Sequence, residues 1–584
     1  MSEENITFPV LSSGFSLGNN TKIKNSLGQM INFIIQDREF IPFNQSCIRQ
    51  NTKQAKQSPN KEKPYFIVRE ALTIPAAYTP TEQGKIVGLD EGVFAHAHSP
   101  GFEILPNGDA LAIYFSTPQG LSENAKECTF IQARLRFGAE EWDFPELFMD
   151  TIGANDQSAL LWNDNGKLWF FGGGREISDY LPFRIAISED FGEKWTFFIP
   201  KIEKKMENVT PQPICNAFRD PDGNIYIPTD GKDATSLLWK SKDNGITWED
   251  LGGRTSTRHS TIVPLDDKGT LLSAAGKNNN INGYNPQNIS HDWGVTWEEP
   301  TASPFPQLGT AQRPSMIRLS SGALLLVGES YCHKHQIPPP KDWKLGNDCY
   351  IAISYDNGKN WKFKKIPVSL PHNARPPYST LGYATVRQAP NGVIHILSTT
   401  NFPGLHYEFN EAWLNSDEKD IIWTGESTKR QTYEEKYNDG KLKARWQAHT
   451  IEGRYLLDGN MTEYYPNGQK QHEVTYENGF KTGIESFWEK DGTLRWQWER
   501  NRKNQKGIWT QYWPKGSKKI VSEWNLQPIP RDLNRPFIGY VAEGTTSHYD
   551  IYGTLIRKYQ FSNGILQDTE IITNKNVIKF HKIK

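Results

Sequence analysis

The sequence predicts an all-β chain: a six-bladed β-propeller followed by a domain of β-hairpin repeats. Three observations predict it. An octapeptide of pattern S-x-D-x-G-x-x-W occurs four times, at 188–195 (SEDFGEKW), 241–248 (SKDNGITW), 290–297 (SHDWGVTW) and 354–361 (SYDNGKNW). Six short turns of the D/N-G kind, at Gly108, Gly166, Gly223, Gly269, Gly322 and Gly392, each lead into an alternating apolar strand. A third repeat, 24 residues long, starts at Gly459, Gly483 and Gly507, with a looser copy from Gly544 to Gly553.

In chain order, residues 1–64 read as an N-terminal extension. Its stretch 51–63 (NTKQAKQSPNKEK) is a polar loop, and 30–41 supplies a strand or two that docks on the main body. Residues 65–420 carry the six turns, which recur every 46 to 70 residues. An N-G or D-G turn between alternating apolar runs is a strong hairpin signal, because glycine takes φ > 0 at no steric cost. The octapeptide marks a second, outer hairpin: its Asp accepts hydrogen bonds from turn N–H groups, and its Trp pins the turn to a neighbouring layer. One inner and one outer hairpin give four strands, and six such units close a propeller. The first and last units lack the octapeptide, as expected where ring closure changes the edge blades. Residues 421–584 hold the 24-residue repeats, each a hairpin with an aromatic pair on one face. Ladder aromatics holding the array together are the leading reading of those rings, and glycan contact is the other.

The octapeptide is the Asp-box, or bacterial neuraminidase repeat, and roughly residues 65 to 415 resemble the sialidase-like six-bladed propellers. The hairpin array resembles MORN-like repeats, which stack into an elongated sheet. The box itself lies on outer turns and speaks for fold, not reaction, so Asp190, Asp243, Asp292 and Asp356 are structural.

Composition narrows the partners. Lys and Arg number 66 against 67 acidic residues, so no global field draws nucleic acid or an anionic membrane. The five cysteines show no CxxC spacing, which gives neither a disulfide framework nor a zinc site, and no metal cluster or cofactor motif is evident. No run reaches membrane-spanning length and no signal peptide is visible. The expected location is therefore the cytoplasm, or outside it had a signal been removed.

In a propeller the inner strands start around one mouth of the channel, so residues at those starts converge. That geometry selects His96 and His98, Asp156 and Gln157, Asn216 and Arg219, Arg258 and His259, Gln312 and Arg313, and Tyr383 and Arg387. His98 or Asp156 is the expected acid/base, with His259 a further titratable group and Tyr383 the nucleophile or transition-state stabiliser. Arg258 and Arg313 grip an anionic group bidentately, and His96, Gln157, Asn216 and Gln312 complete the binding set. His395 and His406 read as structural histidines, and Glu123 as part of a solvated loop.

The resemblance implies three arginines on a substrate carboxylate, a Tyr–Glu nucleophile pair and an Asp acid. Arg258 and Arg313 match the second and third arginines, and Tyr383 the tyrosine of the last blade. The first arginine's F/Y-R-I-P motif is replaced by 94–100 (FAHAHSP), and Arg69 lies far upstream. Glu176, Glu329 and Glu411 are the carboxylates nearest to blade tops. The expected function is exo-acting hydrolysis of a terminal acidic or deoxy sugar from a glycan. Two alternatives stand beside it: a lyase on uronate-containing glycans using His, Tyr and Arg, and a non-catalytic glycan-binding propeller. The C-terminal repeats are left as a surface for protein or glycan.

Overall fold

The computed structural model describes residues 15–17, 21–24, 47–71, 86–88, 98–117, 123–151, 155–175, 183–198, 200–202, 209–308, 312–330, 340–346, 349–367, 370–371, 379–399, 404–419, 425–526, 528–529, 537–538, 541–572 and 577–581. Six antiparallel blades form a propeller. The first blade contains His98–Ile104, Ala110–Ser116, Thr129–Leu135 and Glu146–Thr151, from inside outwards. In the sixth blade three strands, Thr385–Gln388, Ile394–Leu397 and Gly404–Phe409, are completed by Phe66–Ala71 from before the first blade. Phe66 pairs with Phe409 and Ala71 with Gly404, which ties the two ends of the ring by backbone hydrogen bonds.

The local turns follow from their residues. All six inner-turn glycines have φ between +85° and +102°, a region that a side chain strains. In the box at 241–248, Ser241 Oγ donates to Asp243 Oδ1 at 3.0 Å, and Thr247 N donates to the same oxygen at 2.8 Å. Trp248 is fully buried and donates from Nε1 to Gly245 O at 2.9 Å. The residue before each box glycine, Phe191, Asn244, Trp293 or Asn357, also has positive φ, so each box is a tight two-residue turn.

The two blades without a box have separate reasons. In the sixth, the outer strand comes from the other end of the ring, so no turn joins it to its neighbour. In the first, the turn between Thr129–Leu135 and Glu146–Thr151 is docked on the C-terminal sheet. Glu140 N donates to Gly479 O and Leu457 N to Gly138 O, both at 2.8 Å.

The N-terminal region contributes Phe15–Leu17 to the outer edge of the first blade and Thr21–Lys24, in parallel, to that of the second. The strand expected over 30–41 lies outside the described residues. From Gln431 to His581 the chain forms one twelve-stranded antiparallel sheet of consecutive hairpins. Five of its tryptophans are buried, while Trp488 and Trp513 of the repeat aromatic pairs are half-buried. Trp446, Trp496, Trp498, Trp509 and Trp524 are buried in one cluster with Phe102, Trp142 and Phe144 of the first blade. These rings hold the sheet to the propeller, so glycan contact through them is set aside.

Candidate functional site

The mouth of the channel is shaped by backbone irregularity at the inner strands. Ser99, Ser158, Cys215 and His259, one from each of the first four blades, all take φ between +46° and +60°. The pairing register slips beside Ser99 and Ser158. Such bulges re-aim neighbouring side chains at the price of local strain.

A cavity of about 170 Å³ opens there, lined by His98, Glu123, Gln157, Gln212, Arg258, Lys277 and Tyr383 among others. Tyr383 is at its centre. Its phenolic oxygen receives a hydrogen bond from Lys277 Nζ at 2.6 Å and lies 3.2 Å from His259 Nε2. The other imidazole nitrogen, Nδ1, is 2.7 Å from Asp230 Oδ1. The Asp230 carboxylate also accepts from His259 N at 3.0 Å and from Arg258 Nε at 2.6 Å. Burial opposes that carboxylate's charge, but His259 and Arg258 outweigh it and hold Asp230 at about 2. An ionised carboxylate only accepts, so Nδ1 carries the imidazole proton and Nε2 presents its lone pair to Tyr383. Burial pushes His259 down to about 3 despite Asp230, so the ring is neutral at ordinary pH.

Lys277 is reached by a close approach of two backbones. A Cβ on Gly276 would fall 2.1 Å from Thr257 Oγ1, so glycine alone lets this strand end bridge to Arg258. Burial, then the guanidinium groups of Arg258 and Arg313, push the Lys277 ammonium well below the usual lysine range. Burial likewise raises the Tyr383 phenol, against the pull of Arg258. The Arg313 guanidinium is buried behind the pocket. It stands over the Tyr383 ring at 5.2 Å and bonds Ser99 Oγ and Pro100 O, each at 3.2 Å. Arg258, with 31% of its side chain exposed, is the guanidinium on the pocket wall.

His98 packs against Tyr383 with ring centroids 4.1 Å apart, and its Nε2 is 3.9 Å from Glu123 Oε2. Gln157 lines the pocket and donates to Glu123 O at 3.1 Å.

Arg313, expected on the anionic group, is off the cavity wall, and three more expected site residues point elsewhere. Asp156 is fully buried, its oxygens taken by Arg184 and by Thr151 N at 2.6 Å. Side chains alternate along a strand, and at this one Gln157 has the pocket. Asn216 bridges blades, donating to Met316 O and accepting from Arg387 at 3.3 Å. Gln312 donates to Glu329. Glu329 itself accepts from Leu381 N at 2.7 Å, fixing the loop just before Tyr383, and burial pushes it up to about 8. His96 and Glu176 lie outside the described residues.

Four residues of the pocket escaped the sequence reading: Glu123, Gln212, Asp230 and Lys277. Asp230 lies at the end of the second strand of its blade, Ile225–Gly231, and Lys277 follows that of the next, Leu271–Ala274, where counting inner-strand starts does not look. Glu123, read as solvated loop, is carried over the pocket by a loop whose backbone accepts from Asn155 and Gln157.

A metal is the other chemistry to test. His395, His406 and Glu408 offer ligand atoms within 4.8 Å of one another. Arg69 already supplies the cation there: its Nη1 is 3.1 Å from His406 Nδ1 and also bonds Glu408. A guanidinium in that position does not fit a metal centre.

Fold and site together define a six-bladed propeller with a Tyr–His–Lys–Arg pocket at its channel mouth. Residues 108–396 match the family model of the BNR repeat-like domain. Over that stretch, which lies within the propeller, the chain is similar to BNR-repeat proteins. A sialidase of Clostridium perfringens is 29% identical over 156 residues, which is 24% of this chain and 39% of the relative's length. Among solved structures, an intramolecular trans-sialidase from Ruminococcus gnavus aligns over 56% of this chain and 97% of its own at 14% identity, TM-score 0.40. A Dyadobacter fermentans protein of unknown function aligns over 59% and 98%, at 13% identity and TM-score 0.41. No helix among the described residues is long and apolar enough to cross a membrane.

Proposed function

We propose that this protein is an exo-acting glycoside hydrolase that removes a terminal acidic sugar, with Tyr383 as its nucleophile. The observation that carries the reading is the Tyr383 oxygen held between Lys277 at 2.6 Å and His259 at 3.2 Å in an open pocket. Arg258 binds the substrate's anionic group, with the amides of Gln157 and Gln212 beside it. Glu123 protonates the leaving oxygen, and His98 positions that carboxyl. A tyrosine nucleophile is a known departure from the two-carboxylate rule for glycosidases. Asp230 keeps His259 in the tautomer that accepts from the phenol.

A lyase reading is favoured by one feature, the close pairing of the Tyr383 phenol with the His259 imidazole at 3.2 Å. In it, Tyr383 and His259 move the proton α to a uronate carboxylate held by Arg258.

The test is product release from sialylated, uronic-acid-containing and rhamnose- or fucose-capped glycans, with reducing ends and near-ultraviolet absorbance followed together. New reducing ends from an acidic glycan without absorbance support hydrolysis. Response of a deoxy-sugar cap alone moves the substrate to that class. Absorbance rising with the ends selects the lyase. Binding without turnover across the panel by folded protein overturns both and leaves a glycan receptor.

A further inference from the structure

We propose that Lys277 is the base that takes the phenolic proton of Tyr383, making the nucleophile of this pocket a lysine–tyrosine pair. The inference rests on Tyr383 being the reacting group, as read above.

Two basic nitrogens face the phenol, and the geometry separates them. Lys277 Nζ is at 2.6 Å and also stands 4.7 Å from the centre of the Tyr383 ring, while His259 Nε2 is at 3.2 Å. Their base strengths separate them further. An imidazole pushed down to about 3 is too weak to hold a phenolic proton at neutral pH, so His259 orients the hydroxyl without deprotonating it. A desolvated alkyl amine is a stronger base and enters the reaction neutral. A charged ammonium would already be crowded by Arg258 and Arg313, so the resting state favours the free amine. Once the phenol ionises, the new ammonium gains the phenolate as an adjacent counter-ion, and the pair is stabilised as it forms.

The charges facing Lys277 come from four blades. His98 and Glu123 lie on the first, Asp230 on the third, Arg258 and His259 on the fourth, and Arg313 on the fifth. Within this ring the step balances. The Tyr383 hydroxyl turns from His259 Nε2 to the lone pair of the neutral Lys277 amine, its O–H bond breaks, and the proton goes to Nζ. The phenolate oxygen then bonds the anomeric carbon as the leaving oxygen departs with the proton from Glu123. In the second half, water attacks that carbon and gives its proton to Glu123. The released phenolate takes its own proton back from Lys277.

The pair is testable without any glycan, using N-acetylimidazole at neutral pH. The acetyl group moves to the Tyr383 oxygen, the base takes the phenolic proton, and the departing imidazole nitrogen takes a proton from water or from that base. Peptide mass spectrometry reads the rate at Tyr383. Replacing Lys277→Met should slow that acetylation at least about tenfold, the lower end of general-base effects. Added primary amines should restore part of it, more so the more basic the amine. Lys277→Gln serves as the second variant, and thermal melts establish that each is folded. Equal acetylation of Tyr383 with and without Lys277, or no acetylation of Tyr383 in the wild type, overturns the pair. Amine rescue that ignores amine basicity does the same. Intact Lys277-dependence with silence on every glycan would instead sink the hydrolase reading alone.

Discussion

Lys277 in the channel pocket and Lys481 at the seam between the first blade and the C-terminal sheet are both buried, yet their surroundings drive them to opposite charge states. Lys481 Nζ is 2.6 Å from Asp143 and 3.1 Å from Glu485. Burial works against its charge, but those carboxylates outweigh it and hold the ammonium above the usual range. Lys277 is driven towards the amine by burial, with the guanidinium groups of Arg258 and Arg313 outweighing Asp230. The histidines repeat the contrast. His472, 2.9 Å from Glu485 and 3.3 Å from Glu463, is held above its ordinary value against burial. His259 is pushed down by burial, with Lys277 and Arg258 adding to it, although Asp230 stands 2.7 Å from Nδ1. The seam is a closed network in which each charge meets an opposite one, as Arg136 does between Asp143 and Glu463. The pocket leaves its bases neutral and opens them to a ligand. Neighbours, more than residue type, separate a fastening from a reactive site.

The largest expected effect is chemical. Tyr383→Phe should lower glycan turnover on the order of a thousandfold while the thermal melt stays that of the wild type, because the seam is untouched. Turnover kept within about tenfold would show that the phenol is not the reacting group.

The same substitution at the two lysines sharpens the comparison. Lys481→Met takes one cation from each of two buried carboxylates, leaving Asp143 to Arg136 and Glu485 to Arg500 and His472, and should cost about 3 kcal/mol in denaturant unfolding. Lys277→Met removes a desolvated amine bonded to the neutral Tyr383 phenol and should cost no more than about 1 kcal/mol. Similar losses at both sites would erase the distinction.

Titration should reach the pocket before the seam. His259 is depressed to about 3, so its contribution is full above the unfolded histidine value of about 6.5 and is lost as pH falls below it. At the seam, burial of Asp143 and Glu485 is outweighed by Lys481, and both carboxylates are held below their ordinary values. Their contribution is full above about 4.3 and fades only as pH falls through the folded values. His472 is raised, so its share is full below about 6.5 and fades as pH rises through its folded value. Hydrogen exchange by segment, stepped from pH 7 to 5, should loosen the strand around His259 while the seam holds or tightens. Seam opening first would contradict these directions.

The smallest effect belongs to the outer turns. Asp243→Ala removes hydrogen bonds to Ser241, Thr247 N and Thr247 Oγ1 and should cost about 1 kcal/mol with turnover unchanged.

The propeller was legible because its signals are local. A box or a D/N-G turn fixes its own hairpin within eight residues, so both repeats could be read directly. The pocket was legible only where it coincides with inner-strand starts, as at His98, Arg258, His259 and Tyr383. Lys277 lies 106 positions from Tyr383 and Asp230 lies 29 from His259, contacts that ring closure makes and no local pattern announces. Asp156 was misplaced because alternation gives the pocket to Gln157 at a start that ends in the bulge at Ser158. The missing box of the first blade read as an edge effect, whereas its turn is occupied by the C-terminal sheet.

The central claim is that Tyr383 bonds the sugar during turnover. The most direct measurement is trapping with a fluorinated glycosyl fluoride of an acidic sugar, which slows release of a glycosyl-enzyme, followed by peptide mapping. The account predicts one adduct, on the Tyr383 oxygen, absent in Tyr383→Phe. An adduct on Glu123, or turnover of the same sugar with Tyr383 left unmodified, would contradict it.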